Sequence, residues 1–204
     1  MPATTALHRD IFIGYSPFSG RRTAAGMTQS IQHTAVSTSV HMGEFLTHVT
    51  IWTSLFAYAA GEAGRVNHGL KTARLVWSCG CVLYLLHVAT AFHVHHGWSH
   101  ASAYTHTAEQ TSALVGVLWG SGIYANYAFT AIWVGEVAWW WLSPLTYRNR
   151  PRELEVTVRA VFLFMIGNGA VVFVEGPMRW LGLGLFVAVG SIWWNDVNRR
   201  RARP

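Results

Sequence analysis

Charge is what this chain has least of. Asp, Glu, Lys and Arg make up 12% of its 204 residues, about half the usual share of roughly 25%. Hydrophobic residues reach 51%, so too few charges remain to cover a water-soluble surface of this size. Acids are the scarcer sign: nine Asp and Glu stand against fifteen Lys and Arg, for a net charge of +6. The basic residues lie in short blocks between long apolar runs and form no continuous stripe, which argues against a nucleic-acid partner. The same apolar content argues against disorder over most of the chain. Other absences narrow the chemistry. There is no H-E-x-x-H or C-x-x-C motif, no glycine-rich phosphate loop and no recognisable Ser-His-Asp arrangement. The two cysteines, Cys79 and Cys81, are two apart in one apolar run, on nearly opposite sides of a helix, and read as packing residues rather than a redox dithiol.

What is present is a set of apolar runs. A bilayer core about 30 Å thick is crossed by roughly 20 helical residues, and five stretches approach that length, four without Lys or Arg and one with only Arg159 at its start: Phe45–Gly61, Leu75–Val94, Trp119–Leu142, Val158–Val174 and Trp180–Trp194. The first is the weakest, diluted by Thr47, His48, Thr50, Thr53 and Ser54. The last two are separated only by Glu175-Gly-Pro-Met-Arg179, a turn-like link that makes them an antiparallel hairpin. The expectation is an all-α integral membrane bundle over residues 44–196, with five transmembrane helices, or four if the first run does not span. A basic tail, 197–204, follows it.

Basic residues set the orientation, because cytoplasmic connections retain Lys and Arg. With five spans, eleven lie on the side of the carboxyl terminus and four on the other; with four spans the division is fourteen to one. Either count places the carboxyl terminus in the cytoplasm. Tryptophan favours membrane interfaces, and nine of the eleven fall at the expected borders, with Trp52 and Trp133 mid-span. Residues 1–43 are rich in Thr, Ser, Gly and Ala and carry no long apolar run. They read as a disordered tail or, given Met27 and Met42, as a start assigned too early; an Arg-bearing targeting peptide is the other alternative.

Chemistry is most concentrated in histidine. Six of eleven, His87, His93, His95, His96, His100 and His106, fall within twenty residues, and neutral imidazole is a ligand for Zn, Cu and Fe. If the second helix runs on past the membrane, His93, His96 and His100 share a face at i, i+3, i+7. If Gly97 ends it, His95, His96 and His100 converge from a loop. Either arrangement points to a transition-metal site on the non-cytoplasmic face, with His106 in reserve. The alternatives are a proton or pH role and an interfacial loop of amphipathic residues. A second possibility pairs His48 with His87 as axial ligands of a b-type haem. Glu136 is the acid inside a strong span: it is a proton relay running inward from the histidines, or a paired structural carboxylate. Asn126, Tyr127 and Asn168 extend a polar patch across neighbouring helices, where inter-helix hydrogen bonding is the plain alternative.

The segment F-H-V-H-H-G-W-S-H from Phe92 to His100, then T-A-E-Q-T, N-Y-A-F-T, W-W-W and Y-R-N-R-P, resembles uncharacterised bacterial multi-pass membrane proteins over about residues 45–195. That resemblance implies a bacterial inner-membrane unit and carries no activity with it. The leading expectation is a metal- or haem-binding membrane subunit acting in redox or metal handling with other membrane subunits or as a homo-oligomer. A non-catalytic structural subunit of a membrane complex is the alternative, with Gly184, Ala188, Gly167 and Ala170 as contact surfaces. A proton-coupled transporter comes third, since no inverted repeat is visible.

Overall fold

The computed structural model describes residues 24–67 and 70–202. Those residues are helical throughout, with short connections and no strand among them. The chain divides into two units, residues 1–38 and 39–204. Within the described residues the first unit contributes the opening turns of α1 (Ala24–Val66), which therefore begins inside the segment expected to lack regular structure; residues 1–23 lie outside the described residues.

The second unit holds the remainder of α1, then α2 (Leu70–His96), α3 (His100–Val115), α4 (Gly122–Leu142), α5 (Pro144–Arg148), α6 (Arg152–Gly167) and α7 (Pro177–Arg201). Among the described residues, two helices are long and apolar enough to cross a membrane, Lys71–His96 and Arg152–Val172. The boundaries have local causes. Gly97 takes φ 52° just past α2, the left-handed stop that glycine adopts at no steric cost. Ser99 caps α3, its Oγ accepting from the Ser102 N–H at 3.3 Å, and Gly116 at φ 75° ends it. Proline starts α5 and α7, where its missing N–H is not needed. Glu153 and Glu155 occupy the first turn of α6, against the positive end of its dipole.

Packing is close where glycine permits it. α1 and α2 are antiparallel: the Ser54 hydroxyl donates to the Gly80 carbonyl at 2.7 Å, and a Cβ on Gly61 would stand 2.8 Å from the Trp77 Cβ. α6 passes into a π-helical segment, Asn168–Val172, where the Phe173 N–H reaches back five residues to the Asn168 carbonyl at 3.0 Å. Helix α7 lies against that segment so tightly that a Cβ on Gly182 would fall 1.9 Å from the Ala170 carbonyl oxygen. Gly167 and Ala170 are thus consumed within the chain, whereas Gly184 faces open space.

At the centre is a block of aromatic rings. Tyr58 stacks on Phe162 with centroids 4.5 Å apart and planes 8° from parallel, and Trp133 meets Tyr58, Trp77, Tyr84 and Phe162 within 5.8 Å. This revises the tryptophan reading: Trp77, Trp140 and Trp193 are buried core residues, not interfacial ones. Trp98, Trp119, Trp141, Trp180 and Trp194 are the exposed indoles. Position along the chain marks a helix end but not which face of the helix a ring occupies.

One end of the unit is held by charge. Arg159 of α6 ion-pairs with Asp196 of α7 at 3.2 Å, with Glu155 at 3.1 Å and with Glu62 of α1 at 3.8 Å. Glu62 accepts from Arg65 at 2.9 Å and from the Trp193 indole at 2.8 Å. Replacing Arg159 by Leu leaves three carboxylates without this guanidinium, and removal of one partner from a buried ion pair costs about 3–5 kcal/mol. Chemical unfolding of Arg159→Leu should show that loss, while exposed Arg201→Leu changes stability by no more than about 0.5 kcal/mol. Gly182→Ala should destabilise by about 3 kcal/mol or more through the clash with Ala170, against no loss for Gly184→Ala, measured the same way.

Candidate functional site

The histidines gather at the opposite end, where α2 turns into α3. Helix α2 stops at His96, and Gly97 and Trp98 both take left-handed backbone, with φ 52° and 63°. For a bulky residue such as Trp98 this conformation is strained. The turn closes with the Trp98 N–H on the Phe92 carbonyl at 3.1 Å. An unbroken helical face carrying His93, His96 and His100 therefore does not form, because Gly97 ends the helix between them.

The reversal sorts the histidines. His96 meets His106 of α3, ring centroids 5.4 Å apart, and its Nδ1 is buried with no hydrogen-bond partner among the described residues. His95 is 6.3 Å from His96, centroid to centroid, and exposed. His93 is exposed with its ring 6.5 Å from Trp98. His100 turns away toward α4: its Nδ1 is 2.9 Å from the Tyr127 hydroxyl and its Nε2 3.5 Å from that of Tyr124. Among the described residues, no group of three or more His, Cys, Asp or Glu side chains is placed to hold a metal ion. The nearest approach to such a site is the pair His96 and His106. Two imidazoles sharing one tetrahedral ion have ring centres about 5 Å apart, given metal–nitrogen bonds of about 2.0–2.1 Å, and this pair fits that spacing.

His48 and His87 do not fit a haem. The His87 Nδ1 is 2.9 Å from the Thr47 carbonyl of α1, while the His48 Nδ1 is 2.9 Å from the Glu44 carbonyl of its own helix, and His48 is exposed. At that level α1 and α2 touch directly, with the site of a Gly43 Cβ only 2.5 Å from a Val94 methyl carbon. No gap for a macrocycle separates the two helices.

The polar patch is smaller than expected. Tyr84 and Thr130 join α2 to α4 at 3.2 Å, but the Asn168 amide donates to the Phe164 carbonyl of its own helix at 2.8 Å, and Asn126 is exposed. Glu136 lies far from the histidines in the packing, at the charged end, paired with Arg150 and accepting from the Tyr147 hydroxyl at 2.9 Å. The rings of Tyr84, Phe129, Trp133 and Trp77 fill the space between. Glu136 is a paired structural carboxylate, and its hydrogen bonds do not run toward the histidines.

The charged end is what the sequence reading missed. Besides Glu136 it contains Glu62, Arg65, Tyr147, Arg150, Glu155, Arg159 and Asp196, with Arg65 donating to the Tyr147 oxygen at 3.3 Å. Burial works against the charge on Arg65, but Glu62, Tyr147 and Glu155 outweigh it and hold the guanidinium more firmly protonated than usual. Burial raises the Tyr147 phenol above its ordinary value, with Arg65 and Arg150 opposing the rise, so Tyr147 stays a neutral donor to Glu136. The available signal was helical spacing: Glu62 with Arg65 at i, i+3 and Glu155 with Arg159 at i, i+4 are pairing registers.

No family model, curated protein or solved structure matches the chain. The geometry gives one direct test of the division of labour among the histidines. Tyr127→Phe removes a hydrogen bond to His100 and should cost about 0.5–1.5 kcal/mol in stability, measured by thermal unfolding.

Proposed function

We propose that the protein is a multi-pass membrane subunit of a bacterial inner membrane whose non-cytoplasmic face carries a two-histidine transition-metal site, His96 and His106, for metal handling or redox work with a partner. The observation that carries the metal reading is the His96–His106 pair at 5.4 Å with the buried, unpartnered His96 Nδ1. The strained backbone at Trp98 lies two residues away and supports it, since strain of this kind gathers at functional sites. Two imidazoles leave coordination positions open, which solvent or a ligand from a partner completes.

Membrane insertion is supported by inverted polarity. Glu62, Glu136, Arg159 and Asp196 are buried, whereas Phe45, Leu46, Phe56, Val82, Leu86, Val134, Phe164 and Val187 are exposed. Of each apolar window in the two candidate spans, only 22% is buried within the chain, far too little for the core helix of a soluble domain. The remaining spans of the five-helix reading fall in α1, α4 and α7. The charged end is then cytoplasmic, as the basic residues require, and the carboxyl terminus lies with it. A second reading, a non-catalytic subunit of a membrane complex, is favoured by the exposed small residues Gly184 and Ala188 on α7, a surface suited to close helix contact.

The test is elemental analysis for Cu, Zn and Fe on protein purified without chelators and then titrated with each ion, with absorbance spectra in oxidised and reduced forms. About one metal ion per chain is expected, lost in His96→Ala and in His106→Ala, kept in His48→Ala and His100→Ala, with no haem Soret band. Wild-type protein that takes up no ion, or an ion retained by both alanine variants, overturns the metal reading in favour of the structural subunit.

A further inference from the structure

The charged end distributes its two signs unequally between interior and surface. Glu62, Glu136 and Asp196 are buried, and with Glu155 they are engaged by Arg65, Arg150 and Arg159. Lys71, Arg148, Arg152, Arg199 and Arg201 are exposed at the same end, with Glu153 the exposed acid among them. Their common location follows from contacts: Arg199 donates to the Asn67 side chain at 3.1 Å, Arg74 to the Trp140 carbonyl at 3.3 Å, and Arg65 to Tyr147. The acids are drawn inward by their partners, and the surface left behind is a cationic rim.

That rim is not purely polar. Leu142 and Leu145, six and three residues before Arg148, are 83% and 73% exposed, and Trp194 is 66% exposed. Nucleic acid or an acidic peptide complements the arginines but leaves these leucines in water. A phospholipid complements both: its phosphate faces Arg148 and Arg152, and its acyl chains cover Leu142 and Leu145. Guanidinium groups suit a phosphodiester through paired N–H donors, and interfacial indoles favour the headgroup level.

We propose that the rim formed by Leu142, Leu145, Arg148 and Arg152 is a binding surface for anionic phospholipid headgroups, such as phosphatidylglycerol, on the side of the membrane that holds the carboxyl terminus. This rests on the membrane reading above and goes beyond it, because insertion alone demands no preference for one headgroup. A basic residue at an anionic surface contributes about fivefold in partition, so loss of two should cost about 25-fold.

The experiment reconstitutes the full chain in nanodiscs of phosphatidylcholine alone and of phosphatidylcholine mixed with phosphatidylglycerol, then measures retained lipid by native mass spectrometry. Wild type should retain phosphatidylglycerol over phosphatidylcholine, and Arg148→Gln with Arg152→Gln should reduce that preference about 25-fold. Lys71→Gln with Arg201→Gln, outside the proposed Arg148 and Arg152 pair, should reduce it less and serves if the first pair does not fold. Arg179→Gln, at the other end, should leave it unchanged. Insertion into both bilayers with no headgroup preference overturns the lipid surface and leaves the membrane reading standing. Preference unchanged in both paired variants, or lost equally in Arg179→Gln, also overturns it. A chain that enters neither bilayer and stays in solution overturns both readings.

Discussion

Burying a guanidinium among carboxylates is the constraint on which the remainder of the structure turns. Arg159 touches acids on three helices, Glu62 on α1, Glu155 on its own α6 and Asp196 on α7. Charges in a poorly polarisable interior are tolerated only when paired and hydrogen-bonded. The three helices must therefore meet at this end in one register, because a shift of a single residue on α7 takes Asp196 off the face that Arg159 reaches. A parallel arrangement ties in the middle of the chain. Glu136 of α4 holds Arg150, Tyr147 bridges Glu136 to Arg65, and the α4–α5–α6 connection is closed onto α1. Electrostatics specify alignment here; the apolar surface alone would allow many helix packings of similar area.

Above that layer the specification passes to shape. Tyr58, Trp77, Trp133 and Phe162 interlock at centroid separations of 4.5–6.1 Å, and large rings of this kind pack only where a neighbouring helix comes close. Gly80 supplies that approach, since a Cβ there would sit 3.3 Å from the Trp133 ring and 3.2 Å from the Ser54 carbonyl. Gly182 does the same for the π-helical turn. The wide turn displaces the Ala170 carbonyl toward α7, and only a residue without a side chain accepts it.

How much of this was legible follows from what each signal measures. Apolar run length finds helices, and each of the five runs lies largely within one: α1, α2, α4, α6 with its π-helical segment, and α7. Run length says nothing about which residues face inward. Trp77, Trp140 and Trp193 accordingly looked interfacial and are core. Arg65, Arg150 and Arg159 looked like connection charges and are buried or nearly so. For the histidines, composition located the corner and the glycine at 97 marked the two ways it could fold. The partner of His96 was not readable, because His106 reaches it only through a reversal that includes a left-handed tryptophan. A turn of that kind has no common sequence signature, as Trp is a rare choice for positive φ.

The two ends of the helical unit are consequently different materials. At the arginine end the buried charged groups have opposite partners, so a substitution among them changes the alignment of several helices at once. At the histidine end His93, His95, His100 and His106 are exposed, α3 carries one fully buried side chain, Ala103, beside the contact of His100 with Tyr127, and the turn at Trp98 holds strain. Exposed histidines on a short, separately capped helix can change partners without disturbing the bundle, which is what the proposed metal site would require. Rigidity at one end and adaptability at the other follow from where the few charges of this chain were placed.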